Sequence, residues 1–365
     1  MRPTPTRTDG TAQLSDDVAA VLRRAVEERV FPGAAAAVTL AGNRCFVAAG
    51  HETYDPSAPD TGAQAVFDVA SLTKVVATTT ALMQLIERDA LSLEDRAAHF
   101  LPKLTQPGKA DITIRQLMTH TAGFPGPYEF FRFCRTREQL IAAIYQVDLV
   151  HAPGTTRLYD DISFMLLAMI VEEIVGAPFD QHCAKFIFEP LGMGTSAFRP
   201  AADGEQIIPT EIDPERGLLR GVVHDENARV LGGVAGHAGL FSTCHDLLRF
   251  AAMMLGARPR LAANSLIEPV LSDASIVRVR QREWRDSEGE YGLGWDRVRP
   301  HYMGPIDDED AIGHTGFTGT SMVISPRRDL AVVLLSNRVH PRRSDPAAIN
   351  AVRRALVQTV LRHCH

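Results

Sequence analysis

Apolar positions change period along the chain, from helical at the start to strand-like and back. Residues 16–29 carry Val18, Val21, Leu22 and Val26 at three- and four-residue steps, which predicts a first helix. Residues 34–40 and 44–49 are β-compatible runs around Ala41-Gly42-Asn43, the form of a hairpin. The other end mirrors this, with runs over 321–325 and 330–336 flanking the turn at 326–329 and a final helix over 346–362. Between them the pattern is helical. Leu72, Val75, Val76, Leu82, Met83 and Ile86 share a helical spacing and predict a buried helix. Thr113 with Gln116 has the form of a capping box for a short helix ending near Gly123. Asp160 or Asp161 can cap a helix through Phe164, Leu167 and Ile170 to Gly176, and Pro178 forbids its simple continuation. The charged stretch 278–310 reads as a surface excursion. The layout is an α-rich region inserted between two halves of an α/β sheet layer, with no internal repeat.

Composition narrows the classes. A chain of 365 residues with 45% hydrophobic and 22% charged residues can bury a sizeable core, and 27 Gly with 22 Pro point to many loops rather than disorder. A net charge of −6 and only short arginine runs give no nucleic-acid signal. The apolar stretch near 164–175 is broken by Glu172 and Glu173, short of the ~18 residues a membrane span needs, and no apolar core of a signal peptide precedes residue 34. The five cysteines are scattered without a Cys-x-x-Cys pair, so neither a disulfide framework nor a thiolate metal site is expected, and a cytoplasmic setting is.

Chemistry concentrates at three places. In Asp68-Val69-Ala70-Ser71-Leu72-Thr73-Lys74, a serine and a lysine three residues apart at the mouth of a buried helix share one face. An amine beside a hydroxyl can help it lose its proton and become nucleophilic, and the first turn of a helix favours developing negative charge. Lone Ser-x-x-Lys copies are common on solvated helix faces, but Lys74 lies among Leu72, Val75 and Val76. Tyr159 precedes Asp160 and Asp161. A tyrosine there is more often a packing residue, yet beside a lysine its phenol pKa should fall toward a useful range. The turn His314-Thr315-Gly316-Phe317-Thr318-Gly319 offers backbone N–H groups ahead of a strand, in a form able to hold an oxyanion. The loop Gly232–Gly239 lacks the spacing of a phosphate cradle and reads as a tight structural loop. His224, Asp225, His237 and His245 contain no paired metal-binding step, so neither a metal nor another cofactor is expected.

Taken in order, Ser71-Leu72-Thr73-Lys74, Tyr159-Asp160-Asp161 and His314-Thr315-Gly316 resemble the motifs of the β-lactamase-related serine hydrolases. That superfamily spans class C β-lactamases, β-lactamase-like carboxylesterases, D-alanyl-D-alanine carboxypeptidases and some acyltransferases. Residues 120–123, 190–193, 231–242 and 291–295 support the likeness. The resemblance implies a β-lactamase/transpeptidase-like α/β fold, an antiparallel sheet flanked by helices with an inserted α-helical subdomain. Residues 1–15 are then a mobile N-terminus and 16–365 one catalytic domain, with 16–70 plus about 235–365 as the α/β part and about 71–234 as the mostly helical part. It makes Ser71 the acylated nucleophile, Lys74 its proton partner and Tyr159 the general base and acid. The N–H groups of Ser71 and Phe317 become the oxyanion hole, and Thr315 and Gly316 line the substrate strand. Two positions depart from the motifs. His314 stands where β-lactamases carry lysine, which weakens a fixed cation for a β-lactam carboxylate and is closer to the esterase-type relatives. Asp161 stands where asparagine is usual, and as a carboxylate beside Lys74 it would oppose a neutral lysine base, so the base stays open between Lys74 and Tyr159. The implied activity is hydrolysis of small esters or amides, with β-lactams among them, through an acyl-enzyme. The alternatives are an acyltransferase using the same intermediate and a penicillin-binding sensor with little turnover.

Overall fold

The computed structural model describes residues 7–201, 206–256 and 269–364. Its main sheet has five antiparallel strands: β1 (Gly33–Leu40), β2 (Asn43–Gly50), β3 (Ile312–Thr315), β4 (Ser321–Ser325) and β5 (Leu330–Ser336), in the spatial order β3-β4-β5-β1-β2. The β1–β2 hairpin turns at Ala41 and Gly42, both with positive φ, a twist that suits antiparallel strands. The centre of the sheet joins the two ends of the chain, with Ala34 opposite Ser336 and Leu40 opposite Leu330.

Both faces of the sheet are covered, so its central strands β1 and β5 are buried at every position and almost wholly apolar instead of alternating. On one face Ala34, Ala36, Val38, Val332 and Leu334 pack against the terminal helices Arg7–Glu27 and Pro346–Leu361. On the other, Ala35, Ala37, Val333 and Leu335 join a larger core that continues into the helical region through Leu72, Phe164 and Leu167. Helix Cys244–Met254 also lies in that core, along β1 and β5.

Several elements differ from expectation. The first helix begins at Arg7 rather than residue 16, because Leu14 sits one turn before Val18 and shares its buried face. Residues 7–15 are therefore helical, and residues 1–6 lie outside the described residues. The Thr113 capping box is present, with the Gln116 N–H donating to Thr113 Oγ1 at 3.2 Å and the Thr113 N–H donating to Gln116 Oε1 at 2.9 Å. Its helix ends at Met118, short of Gly123, and the chain turns at His120 with φ +57°. Residues 278–310 are not only a surface excursion: Tyr291, Leu293, Trp295 and Tyr302 are buried, and the segment forms one wall of the site described below. Among the described residues no single helix is long and apolar enough to cross a membrane.

Candidate active site

The site lies where the helical region meets the β3 edge of the sheet. Ser71 follows Ala70, whose φ of +47° is a left-handed conformation that only a surrounding constraint sustains in a non-glycine residue. The constraint is Asp68, a buried carboxylate that accepts from the Ala70 N–H at 2.8 Å and from the His224 N–H at 2.7 Å. Past Ser71 the helix opens with π-type turns over Lys74–Thr79 before becoming regular over Thr80–Glu87. Thr78 Oγ1 donates to the Gly236 carbonyl at 2.6 Å, so the glycine loop expected to be merely structural is tied to the back of this helix.

Lys74 has no solvent exposure. Its Nζ donates to Ser71 Oγ at 3.1 Å, to Asp161 Oδ1 at 2.7 Å and to the His237 carbonyl at 3.4 Å. It also lies 4.8 Å from the centre of the Tyr159 ring. Burial alone would lower its pKa, but the neighbouring Asp161 carboxylate and Tyr159 outweigh that and raise it, so the side chain is an ammonium at neutral pH. Asp161 is held below its ordinary value, burial being overcome by Lys74 and His237. The lysine is thus a cation stabilised by the aspartate that departs from the motif.

Tyr159 is 37% exposed, with its ring against His120 at 4.6 Å between centres and near His314 at 6.2 Å. Its hydroxyl interacts with both Ser71 and Lys74. The phenol pKa was expected to fall beside the lysine. It is raised, because burial of the phenolate and the nearby Asp161 charge exceed the pull of Lys74. Asp161 is the N-cap position of the following helix Ile162–Val175, and the Asp160 carboxylate behind it accepts from the Ser163 N–H at 2.6 Å and from Ser163 Oγ at 2.9 Å. Burial pushes the Asp160 carboxyl up to about 7, and it lies 3.3 Å from Nδ1 of buried His120.

The third motif is brought to the first by a stitched seam. Thr318 Oγ1 donates to the Asp68 carbonyl at 2.7 Å and Thr320 Oγ1 to the Val69 carbonyl at 3.0 Å. Gly316 fits against the same backbone so closely that a Cβ there would stand 2.5 Å from the Val69 oxygen. Arg353, on the C-terminal helix, donates to the Gly316 and Thr320 carbonyls at 2.8 and 2.7 Å and fixes the turn from behind. Neither the Ser71 N–H nor the Phe317 N–H donates to a backbone or side-chain acceptor among the described residues. His314 is buried, with Nδ1 2.9 Å from the Thr315 carbonyl, and burial lowers its pKa to about 4. It is a neutral imidazole at pH 7. A small cavity behind Tyr159 is lined by His120, Arg157, Tyr291, Trp295, Asp296 and His314.

The three motif segments therefore converge. Sequence reasoning missed the supports: Asp68, Thr320 and Arg353 were given no role, His120 entered only within a supporting stretch, and His237 and Asp225 read as scattered. Among the described residues, Asp161, Asp225 and His237 are one group whose ligand-type atoms lie within 4.8 Å of one another, as a metal site would require. In this fold the Lys74 ammonium already provides Asp161 with a cation.

Comparison with known proteins places this geometry. The model of the beta-lactamase family matches residues 18–356. The chain belongs to the β-lactamase family. Among curated members, a putative D-alanyl-D-alanine carboxypeptidase of Escherichia coli K12 is 31% identical over 314 residues, covering 77% of this chain and 71% of that one. Among solved β-lactamase-fold structures, a class C β-lactamase superposes with a TM-score of 0.77 at 19% identity, covering 97% and 98% of the two chains. EstCE1, described as a hydrolase with promiscuous acyltransferase activity, gives 0.75 at 21% identity over 95% and 99%. These structural likenesses establish the β-lactamase/transpeptidase fold, and the family match makes the chain a serine-hydrolase-type enzyme.

Proposed function

We propose that this β-lactamase-family enzyme is a carboxylesterase-like hydrolase of small esters, working through an acyl-enzyme on Ser71. The observation that carries the reading is the 3.1 Å contact between Lys74 Nζ and Ser71 Oγ, and the Ser71 and Phe317 N–H groups, which have no acceptor among the described residues, support it. Ser71 Oγ attacks the ester carbonyl and its proton passes to the Tyr159 oxygen. The N–H groups of Ser71 and Phe317 hold the oxyanion, each at a contribution of about 3–4 kcal/mol. Tyr159 returns the proton to the leaving alcohol as the C–O bond breaks, and water then cleaves the acyl-enzyme by the same route, releasing a carboxylic acid and free Ser71. Lys74, as an ammonium, steadies both the serine and tyrosine oxygens as they carry charge. Neutral His314 supports esters over β-lactams, because it offers no fixed positive charge to a β-lactam carboxylate.

Intact-mass measurements of wild type and Ser71→Ala, with p-nitrophenyl butyrate and separately with a chromogenic cephalosporin, test this. Wild type is expected to show an acyl adduct that decays with turnover, fastest with the ester, and Ser71→Ala none. An adduct that persists in Ser71→Ala, or faster turnover of the cephalosporin, would reject the reading.

The pH profile follows from the raised phenol. The base form of Tyr159 must lose a proton, and a raised pKa keeps that form scarce at neutral pH, so acylation is expected to climb with pH through pH 9. Asp161 is one of the charges that raises Tyr159. Asp161→Asn should therefore move the alkaline limb to lower pH and Tyr159→Phe should flatten it, read as kcat/KM for a neutral ester between pH 6 and 10. A limb that stays in place in Asp161→Asn would disprove the coupling.

A further inference from the structure

The cavity behind Tyr159 is lined by polar groups that the hydrolytic scheme does not use. Arg157, two residues before the tyrosine, has a side chain only 8% exposed and makes no hydrogen bond among the described residues. Its guanidinium lies over the Tyr291 ring at 3.3 Å, and the carboxylate beside it, Asp296, comes no nearer than 4.0 Å at Oδ1, beyond hydrogen-bond reach. Arg157 Nε is buried without a partner, and so is Nε2 of His120. Both residues line the cavity together with Asp296 and His314. Each of the four offers a defined donor or acceptor. The Asp160 N–H donates to His120 Nδ1 at 3.3 Å, which leaves the imidazole proton on Nε2. His314 bonds the Thr315 carbonyl through Nδ1 at 2.9 Å, so that nitrogen carries the proton and Nε2 is an acceptor. Asp296 accepts from the Tyr302 hydroxyl on Oδ2 at 2.8 Å, and its Oδ1 accepts no hydrogen bond among the described residues.

The group is therefore a pair of donors, Arg157 Nε–H and His120 Nε2–H, with a pair of acceptors, His314 Nε2 and Asp296 Oδ1. Guanidinium and carboxylate balance in charge, which favours a neutral occupant, and the space suits about one water-sized molecule. A water accepts twice and donates twice. It also bridges a gap of the kind that separates Arg157 from Asp296. We propose that this cavity is a binding site for one buried water held by Arg157, His120, Asp296 and His314, and that Arg157 acts through it as a positioning residue for Tyr159. His120 is the link. Its ring packs against Tyr159 at 4.6 Å between centres, and its carbonyl accepts from the Leu158 N–H at 3.0 Å, so it holds the tyrosine by its face and by the chain just before it. With one nitrogen fixed by the Asp160 N–H and the other by the water, the imidazole is held in one orientation, and the phenol keeps its place beside Ser71 and Lys74. The effect on rate rests on the acyl-enzyme reading above, whereas the water site does not.

The water and the two tautomers are read without turnover. A high-resolution crystal structure of the wild-type enzyme is expected to show one water within hydrogen-bond distance of all four groups. Nitrogen-15 NMR of histidine-labelled enzyme at pH 7 should find His120 protonated on Nε2 and His314 on Nδ1, with His120→Gln and His314→Gln assigning the signals. A dry cavity, an ion in place of the water, or the opposite tautomer on either ring overturns the proposal. Kinetics with p-nitrophenyl butyrate test the positioning. Arg157→Met, which keeps the stem and removes every donor, should lower kcat by about 10- to 100-fold with KM little changed, and should release His120 from its single tautomer. Arg157→Lys, whose ammonium ends near the place of Nε, should restore most of the rate and the tautomer with it. Thermal melts check that both variants are folded. Wild-type kcat in Arg157→Met, or equal losses in the methionine and lysine variants, overturns the positioning role. Absence of Ser71-dependent turnover in wild type would reject the hydrolase reading itself, a separate outcome, and the crystallographic and NMR results then decide the water site on their own.

Discussion

Lys74→Met should lower acylation of a neutral ester by about 10³-fold or more, while near-UV circular dichroism shows an intact fold. Methionine approximates the length and volume of the lysine stem, so the packing around Leu72, Val75 and Val76 is kept. What is lost is the ammonium that donates to Ser71 Oγ and interacts with Tyr159. Removing one preorganised donor of this kind costs about 10²–10³ in rate, and here the same charge also steadies the phenolate that accepts the serine proton. The substitution leaves Asp161 without its cation, but that carboxylate keeps partial access to water, which limits the penalty to stability. Pairing Lys74→Met with Asp161→Asn separates the two contributions: the double variant should regain stability but not rate. Single-turnover kinetics with p-nitrophenyl butyrate and thermal melts read both, and a Lys74→Met enzyme within tenfold of wild type would remove the lysine from the mechanism.

Gly316→Ala should be nearly as damaging from a position that carries no reactive group. The added methyl would stand 2.0 Å from Thr320 Oγ1 and 2.5 Å from the Val69 carbonyl oxygen, far inside contact distance. Thr320 can rotate, although at the loss of its bond to Val69. The backbone of Val69 cannot yield without shifting Ala70 and Ser71, because Asp68 and Thr318 hold that turn. A shift of that backbone would displace Ser71 relative to the Gly316–Phe317 turn, and loss of the Thr320 bond would loosen the same seam. A fall in kcat of about 10²-fold is expected, together with about 1–3 kcal/mol of destabilisation from overpacking. Activity within a factor of a few of wild type would show that the two donors do not act together.

The three motifs were legible because each is short and local: Ser71 with Lys74 on one helix turn, Tyr159 two residues before Asp161, and His314 to Phe317 in one turn. The central strands were legible too, since burial on both faces writes an unbroken apolar run such as that from Leu330 to Leu335. The supports were not, because each joins residues far apart in the chain. Asp68 holds His224, Thr320 holds Val69, and Arg353 reaches Gly316 and Thr320 from the last helix. No periodicity announces such a bond. The direction of the Tyr159 shift was misjudged for the same reason: a sequence shows the neighbouring lysine but not the packing around the phenol nor how near the Asp161 charge lies to it. The extent of the first helix was understated because Leu14 alone marks its early buried turn, and residues 278–310 were misjudged because their charges obscured the buried Tyr291, Trp295 and Tyr302.

The pairing of β1 with β5 has a consequence for how the enzyme comes into being. Ala34 and Ser336 are partners although about 300 residues separate them, and a contact of that span closes late, after the entropy of a very long loop has been lost. During synthesis the β1–β2 hairpin emerges early, and the strand edge that β5 will cover waits through the making of the whole helical region. The donor at Phe317 and the clamp at Arg353 arrive with the same late segment. Ser71 and Lys74 can therefore share a helix turn well before birth of the chain is complete, yet under the mechanism proposed above the second N–H donor arrives only when the final strands dock, which would make catalytic competence and closure of the sheet one event.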